Sequence, residues 1–174
     1  MKKFIITVLS IFTLLNYTIA YNVTMDDDLL LKAHKFAFDN QITTVQSLSW
    51  FRPELNLNRA QAAKMAVMFG RTYLGDNYFF RPDKTIDCSF SDRSEISRDL
   101  RSFVIESCRF GIFAWGKWQF EPLGRLTVWQ AKIVIKRITW RDSVQVGTGI
   151  DNDFITRWEF VKLMYLEYEK LLGN

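Results

Sequence analysis

The chain has very few of the residues on which most catalytic and metal sites depend. Among its 174 residues His34 is the one histidine, and only two residues are cysteines. His34 has no cysteine or second histidine at a metal-ligand spacing. The sequence also contains no Gly-x-Ser-x-Gly, phosphate-loop or His-Glu-x-x-His motif. We therefore predict neither an enzyme nor a protein with a metal or other cofactor.

An excess of charge of one sign is also lacking, because 23 basic side chains are nearly balanced by 19 acidic ones. Without Lys2 and Lys3 the balance is 21 basic against 19 acidic side chains. The charges are scattered, with no block of one sign, so the composition excludes the net positive field that is typical of nucleic-acid binding. Attraction to a polyanion would have to come from the local placement of a few cations.

Long hydrophobic runs are absent except near the N-terminus. There, two lysines precede an apolar run over 4–15 and a small-residue ending at Ala20. This pattern is typical of a secretory signal peptide cleaved after Ala20, with an uncleaved N-terminal anchor as the alternative. No later segment approaches the roughly 20 apolar residues that a membrane span needs. We expect residues 1–20 to be a signal peptide and residues 21–174 to be exported, either as a soluble protein or held to the cell envelope by binding.

The two cysteines, Cys88 and Cys108, have a single possible pairing. In an oxidising compartment they are expected to form a disulfide that closes a loop of about 20 residues. Two buried thiols are the alternative if the chain remains in a reducing compartment.

One five-residue motif occurs three times, as LNRAQ at 57–61, LTVWQ at 126–130 and ITRWE at 155–159. A Phe-x-Pro tripeptide starts six residues before the first two copies, at 51–53 and 120–122. Each copy is followed by apolar residues at three- and four-residue intervals, which is typical of an amphipathic helix. Recurrence at a fixed spacing predicts repeated helical units.

The repeats divide the chain into two fuller units and one reduced unit. They span about 26–75, 86–139 and 140–172. In each fuller unit another helix is predicted before Phe-x-Pro, over Leu29–Phe38 and over Ser97–Phe110, with Asn40 and Gly111 placed to end these helices in the left-handed conformation. A chain of this length suits one compact domain. We therefore predict a mostly α-helical single domain.

The polar residues of the motif fit a helix capping box, in which the second and fifth residues bond each other's backbone. The pairs are Asn58 with Gln61, Thr127 with Gln130 and Thr156 with Glu159. Capping does not explain Arg59 and Arg157, because a cation at a helix N-terminus is mildly unfavourable unless an anion binds there. We expect these arginines and their capping neighbours to bind a carboxylate or phosphate. An exposed arginine with an ordinary salt-bridge partner is the alternative.

The loop over 112–120, with the sequence IFAWGKWQF, has the composition of a sugar-binding segment. Its aromatic and cationic candidates are Trp115, Lys117 and Trp118. A tryptophan can stack on a sugar ring while the lysine meets an anionic substituent, and packing into the core is the alternative use of these rings. Trp50, before the other Phe-x-Pro, is a candidate for the same role. Trp129 and Trp158, inside the motifs, are expected to pack between units.

These motifs together resemble the S-layer homology domains. The second unit carries the family's motifs in order, as FSD at 90–92, FGI at 110–112, FEP at 120–122 and LTVWQ at 126–130. The resemblance covers about 29–172 and is weakest in the third unit, which has only ITRWE. It implies a pseudo-threefold helical bundle whose motif helices start around grooves between the units.

The resemblance also implies a function, which is non-covalent attachment to anionic, including pyruvylated, cell-wall polysaccharide or to a peptidoglycan-linked polymer. The family's arginine corresponds to Arg59 and Arg157 here. Val128 stands at that position in the second motif, which leaves one groove without its cation. The alternative is a protein-interaction subunit of a surface assembly, with other envelope proteins as partners, that keeps the packing but not the glycan binding.

Overall fold

The computed structural model describes residues 27–80, 86–113, 119–139 and 152–173. The α-helices in these ranges are α1 (Asp27–Asp39), α2 (Leu48–Phe51), α3 (Arg59–Leu74), α4 (Arg101–Arg109), α5 (Val128–Thr139) and α6 (Arg157–Leu172). Two 3-10 segments, Gly75–Phe80 and Arg93–Glu95, follow α3 and precede α4 respectively. The prediction of a mostly α-helical protein is confirmed. In the described ranges, none of the helices is both long and apolar enough to cross a membrane.

Each copy of the five-residue motif starts a helix. α3, α5 and α6 begin at the third residue of the motif, at Arg59, Val128 and Arg157. In the first copy the Asn58 side chain accepts a hydrogen bond from the Gln61 backbone N–H at 2.9 Å. The other two copies form reciprocal capping boxes, Thr127 with Gln130 and Thr156 with Glu159. The predicted caps are confirmed in all three copies, because each cap side chain accepts from the N–H three residues ahead, and the reciprocal box is confirmed in the second and third.

The turns that end α1 and α4 share one backbone conformation. Gly111 has the predicted left-handed conformation, with φ of 65°. The expectation for Asn40 is wrong, since Gln41 takes this conformation instead, with φ of 58°. Asn40 instead acts through its side chain, which donates a 2.9 Å hydrogen bond to the Phe36 carbonyl in the last turn of α1.

The start of α4 also differs from the sequence prediction. The helix begins at Arg101 and not at Ser97. The intervening residues form a separate turn, in which the Leu100 N–H donates to the Ser97 carbonyl at 3.0 Å. The apolar spacing continues through this turn, which explains why the sequence pattern places the helix start too early.

Both Phe-x-Pro tripeptides fold into the same turn. Their middle residues, Arg52 and Glu121, are left-handed, with φ of 51° and 56°, a conformation that is uncommon outside glycine. Each turn is closed by a hydrogen bond from the N–H three residues later, from Leu55 at 3.2 Å and from Gly124 at 2.9 Å. The repeated tripeptide therefore encodes a repeated turn before α3 and α5.

Three buried backbone segments, one from each motif, exchange hydrogen bonds in a closed cycle. The Leu57 N–H donates to the Ile155 carbonyl at 3.0 Å, and the Ile155 N–H donates to the Leu126 carbonyl at 2.9 Å. The Leu126 N–H completes the cycle by donating to the Leu57 carbonyl at 2.9 Å. Because each motif helix begins two residues after a member of this cycle, the starts of α3, α5 and α6 lie side by side.

The helices pack around α3, which contacts α4 and α5, while α1 packs on α6. The surface of α3 that faces its neighbours is rich in alanine, with Ala62, Ala63 and Ala66 fully buried, so its neighbours can approach closely. On the other side of the core, the Phe36 ring lies 4.9 Å from the Tyr168 ring. The backbone cycle and this core position the motif helices relative to one another.

A partly buried polar cluster joins α3 to α4. The Arg71 guanidinium pairs with the Glu106 carboxylate at 2.7 Å, and the Tyr78 hydroxyl donates to the same carboxylate at 3.0 Å. Burial, together with this carboxylate, raises the pKa of Tyr78 above its ordinary value. The Tyr78 ring stacks on Phe110 and lies against Gly70, where an added Cβ would be 2.8 Å from the ring. Gly70 is therefore needed for the close approach of this ring.

The predicted disulfide is confirmed, and it links Cys88 to Cys108 in α4 with the Cα atoms 6.0 Å apart.

Replacing both residues, as Cys88→Ser with Cys108→Ala, is expected to lower the free energy of unfolding by about 3 kcal/mol, because the unfolded chain gains the freedom of an open loop of about 20 residues. Urea unfolding measures this difference. Dithiothreitol should produce a similar loss in the wild type and none in the variant; a variant within about 1 kcal/mol of the oxidised wild type would contradict the expectation.

Candidate binding grooves

Two grooves lie where a motif arginine faces the motif helix of another unit. Groove A is the cavity lined by Arg59 together with Trp129, Gln130, Ile133 and Arg137 of α5. Groove B is the cavity lined by Arg157 together with Gln61, Lys64 and Met65 of α3 and with Asp99. Five residues of groove A have a counterpart in groove B. With the groove A residue first, the pairs are Arg59/Arg157, Phe113/Thr43, Leu126/Leu57, Gln130/Gln61 and Val134/Met65. The two grooves are therefore built alike.

The motif arginines fasten one unit to the Phe-x-Pro turn of another. Arg59 Nε donates to the Phe120 carbonyl at 2.9 Å, and the guanidinium lies 5.6 Å from the centre of the Phe120 ring. Arg157 Nη1 donates to the Phe51 carbonyl at 2.9 Å. Val128 stands at the arginine's position in the second motif. An arginine there would need a Phe-x-Pro turn in the third unit, and the sequence of that unit has no Phe-x-Pro. Sequence reasoning missed this structural role.

The helix starts themselves are not open to an anion. The N–H groups of Arg59 and Ala60 donate to the carbonyls of Gly124 and Pro122 at 2.9 and 3.1 Å. At the start of α6, the first two N–H groups donate in the same way to the turn after Phe51, at 2.9 and 3.1 Å. The expectation that backbone donors would join the arginines on one anion is therefore wrong, because carbonyls from a neighbouring unit already accept these hydrogen bonds.

Asp92, the aspartate of the FSD motif, holds the second Phe-x-Pro turn in place. Its carboxylate accepts from the backbone N–H of Phe120 at 3.0 Å and from that of Glu121 at 2.6 Å. The side chain is buried, and backbone donors of this kind stabilise a buried carboxylate. The motif residues of this unit thus position the turn to which Arg59 binds.

The other predicted site residues are separated by the structure. Glu159 caps α6, where its carboxylate accepts from the Thr156 N–H and hydroxyl at 2.8 and 2.9 Å, and Asn58 caps α3. Gln61 lies in groove B, and Trp50 is 75% exposed on α2. Trp115, Lys117 and Trp118 lie outside the described residues. Of the predicted binding residues, the grooves therefore bring together Arg157 with Gln61.

Sequence reasoning missed three residues that line the grooves. Trp129 is predicted to pack between units, whereas its side chain is 38% exposed and lines groove A; the corresponding Trp158 is buried. Arg137 in the last turn of α5 also lines groove A, and Lys64 lines groove B. The missed signal is the helical spacing from the motif glutamines, since Gln130 and Arg137 are seven residues apart on one face.

The grooves hold partly desolvated cations. Burial lowers the pKa of Arg59 below its ordinary value, and the nearby Glu121 and Asp92 carboxylates oppose this shift. Burial also lowers the pKa of Arg137, whose Nη1 donates to the Ile112 carbonyl at 3.2 Å. Within the described part of the chain, Arg137 has no carboxylate partner. An arginine in this setting has further N–H donors with which to bind an anion.

Searches of known protein families, characterised proteins and solved structures find no match to this chain. Among the residues that the structure describes, no group of three His, Cys, Asp or Glu side chains is arranged to hold a metal ion.

Proposed function

We propose that this protein is an exported envelope-binding module of the S-layer homology type. In this proposal three units form a pseudo-threefold bundle, and grooves A and B hold anionic cell-wall polysaccharide or a peptidoglycan-linked polymer. The closed cycle through Leu57, Leu126 and Ile155 and the two matching Phe-x-Pro turns support the bundle. The observation that carries the binding proposal is that each groove combines a motif arginine with a glutamine and a second cation.

The charge of the grooves favours an anionic ligand. Groove A has Arg59 and Arg137 on its walls, and groove B has Arg157 and Lys64 together with one acid, Asp99. The chain as a whole is nearly neutral. In groove A the Glu121 and Asp92 carboxylates lie near Arg59, whereas Arg137 has no carboxylate partner among the described residues, so the positive charge of this groove centres on Arg137. A hydrogen bond between charged groups contributes about 1.5–3 kcal/mol, so two such bonds are enough for specific binding of one anionic unit of a polymer.

The test is sedimentation of the protein, without residues 1–20, with protein-free cell walls of the source organism. We expect it to bind the walls, to bind more weakly at higher salt because exposed charges are screened, and to be released once mild acid removes the acidic polysaccharide. Arg137→Gln with Lys64→Gln should weaken binding by about ten- to a hundredfold, since each groove loses a cation.

The matched control is Lys32→Gln with Lys35→Gln, which removes the same charge from α1, where both lysines are exposed and pair with Asp28 and Asp39. These substitutions should change binding by less than about twofold, because neither lysine lines groove A or groove B. Equal weakening by the control and groove variants would show that binding follows net charge and not the grooves. Failure of the wild type to bind walls that retain their polysaccharide would refute the proposed function.

Exposed apolar side chains favour one other function, that of a protein-interaction subunit. Leu55, Leu123 and Phe154 are large apolar residues, one from each segment leading into a motif, and all are exposed. The backbone cycle joins the three segments, so their exposed apolar residues are candidates for a protein contact. Retention on walls that requires wall proteins, and that persists after the acidic polysaccharide is removed, would favour this function.

A further inference from the structure

Grooves A and B differ along the edge of their motif helices. In α5 this edge carries Trp129, Ile133 and Arg137, at positions i, i+4 and i+8. The corresponding residues of α3 are Ala60, Lys64 and Met68. Groove A therefore has an aromatic ring and a second arginine in places where α3 has an alanine and a methionine.

The edge of groove A is long enough to contact more than one chemical group of a ligand. Eight residues of helix cover about 12 Å, and residues at i, i+4 and i+8 follow one another along one side. A second cavity, lined by Gly111, Ile133, Lys136 and Arg137, shares two of these residues with groove A. The groove therefore continues past Arg137 toward another cation.

We propose that groove A is the saccharide-selective site, in which a sugar ring lies on the Trp129 indole and an anionic substituent binds Arg137. Groove B, by contrast, binds anionic groups without an exposed aromatic ring, because the phenylalanine in its lining, Phe51, is buried. This inference rests on the proposed function and names the part of the ligand that each groove recognises. The apolar face of a sugar ring packs on an indole, while a guanidinium forms paired hydrogen bonds with a carboxylate or phosphate.

The two contacts impose different chemical requirements. Stacking on Trp129 requires a ring, whereas Arg137 and the cations of groove B require only negative charge. A polyanion that has no rings should therefore bind through its charge alone, and removal of the indole should leave its binding unchanged. An anionic polysaccharide should lose affinity when either the indole or the guanidinium is removed.

The experiment compares two probes by calorimetric titration. One probe is the acidic polysaccharide that mild acid releases from the purified walls, and the other is inorganic polyphosphate, which has charge but no rings. Trp129→Ala should weaken binding of the polysaccharide about tenfold and that of polyphosphate less than about twofold. Arg137→Met, which copies the residue of α3, should weaken both.

Two further variants separate recognition from packing. Trp129→Leu keeps an apolar side chain without an aromatic face, and we expect the same tenfold loss for the polysaccharide as in Trp129→Ala. Leu31→Ala removes an apolar side chain that is 56% exposed on α1, outside both grooves, and should leave both affinities unchanged. Thermal unfolding of each variant, followed before titration, identifies any loss that comes from a disturbed fold.

The outcomes distinguish this inference from the proposed function. If the wild type binds the polysaccharide and both Trp129 variants bind it equally well, the sugar-stacking site is wrong and the envelope-binding function stands. If Trp129 variants lose polysaccharide and polyphosphate to the same extent, the indole supports the fold of the groove and does not recognise the ring. If the wild type binds neither the polysaccharide nor the walls, both proposals are wrong.

Discussion

Replacing Arg59 and Arg157 together with alanine is expected to lower the free energy of unfolding by about 3–6 kcal/mol. Each side chain donates a hydrogen bond from a guanidinium to a carbonyl of another unit, at 2.9 Å to Phe120 and to Phe51. A hydrogen bond to a charged group contributes about 1.5–3 kcal/mol, and the two sites share no partner, so their losses should nearly add. The side chains also cover the turns that they bind.

Urea unfolding of the single and double variants measures this effect. The control is Val128→Ala, because Val128 begins α5 as the arginines begin α3 and α6 but makes no such bond; it should lose no more than about 1.5 kcal/mol. A double variant that keeps its stability within about 1 kcal/mol of the wild type would contradict the structural role. Wall binding by the arginine variants has to be compared at temperatures where they remain folded, since unfolding would mimic the loss of a binding residue.

Replacing Phe120 with alanine is expected to cost about 3–5 kcal/mol, as for other fully buried phenylalanines. The ring is 0% exposed and lies 5.5 Å from the Phe90 ring and 6.0 Å from the Phe113 ring. It also lies under the Arg59 guanidinium, so its loss opens a cavity at the junction of two units. For a chain of this size the melting temperature should fall by about 6–20 °C.

The conservative control is Phe120→Leu, which fills most of the volume and should cost less than about 1.5 kcal/mol if the neighbouring rings can repack. Differential scanning calorimetry of the two variants separates cavity formation from the loss of a specific aromatic contact. Equal destabilisation by leucine and alanine would show that the aromatic ring itself is required. A loss below about 1 kcal/mol for alanine would show that this turn is not part of the cooperative core.

Groove A should respond to the same substitution, although Phe120 is not among the residues that line it. The Arg59 side chain crosses the second turn at Gly124, where an added Cβ would lie 3.3 Å from Arg59 Cδ. Movement of the turn would therefore displace one wall of the groove. Stability and ligand binding are thus linked at this junction, which is why the conservative variants matter for interpreting both.

The sequence by itself determined the features that depend on residues close together in the chain. Capping by Asn58, Thr127 and Thr156 involves partners three residues away, so the motif placed the starts of all three helices correctly. The left-handed conformation of Gly111 was predictable because glycine has no Cβ to oppose a positive φ. Predicting the disulfide required only the presence of two cysteines and the assumption of an oxidising compartment.

Only the tertiary structure decided what the motif side chains contact. The carbonyls that bind Arg59 and Arg157 are 61 and 106 residues away, and neighbouring turns also occupy the N–H groups that an anion was expected to use. The exposure of Trp129, in contrast to the burial of Trp158, depends on which segment packs beside each helix start. Local periodicity places a side chain on one face of a helix, but it contains no information about which distant part of the chain covers that face.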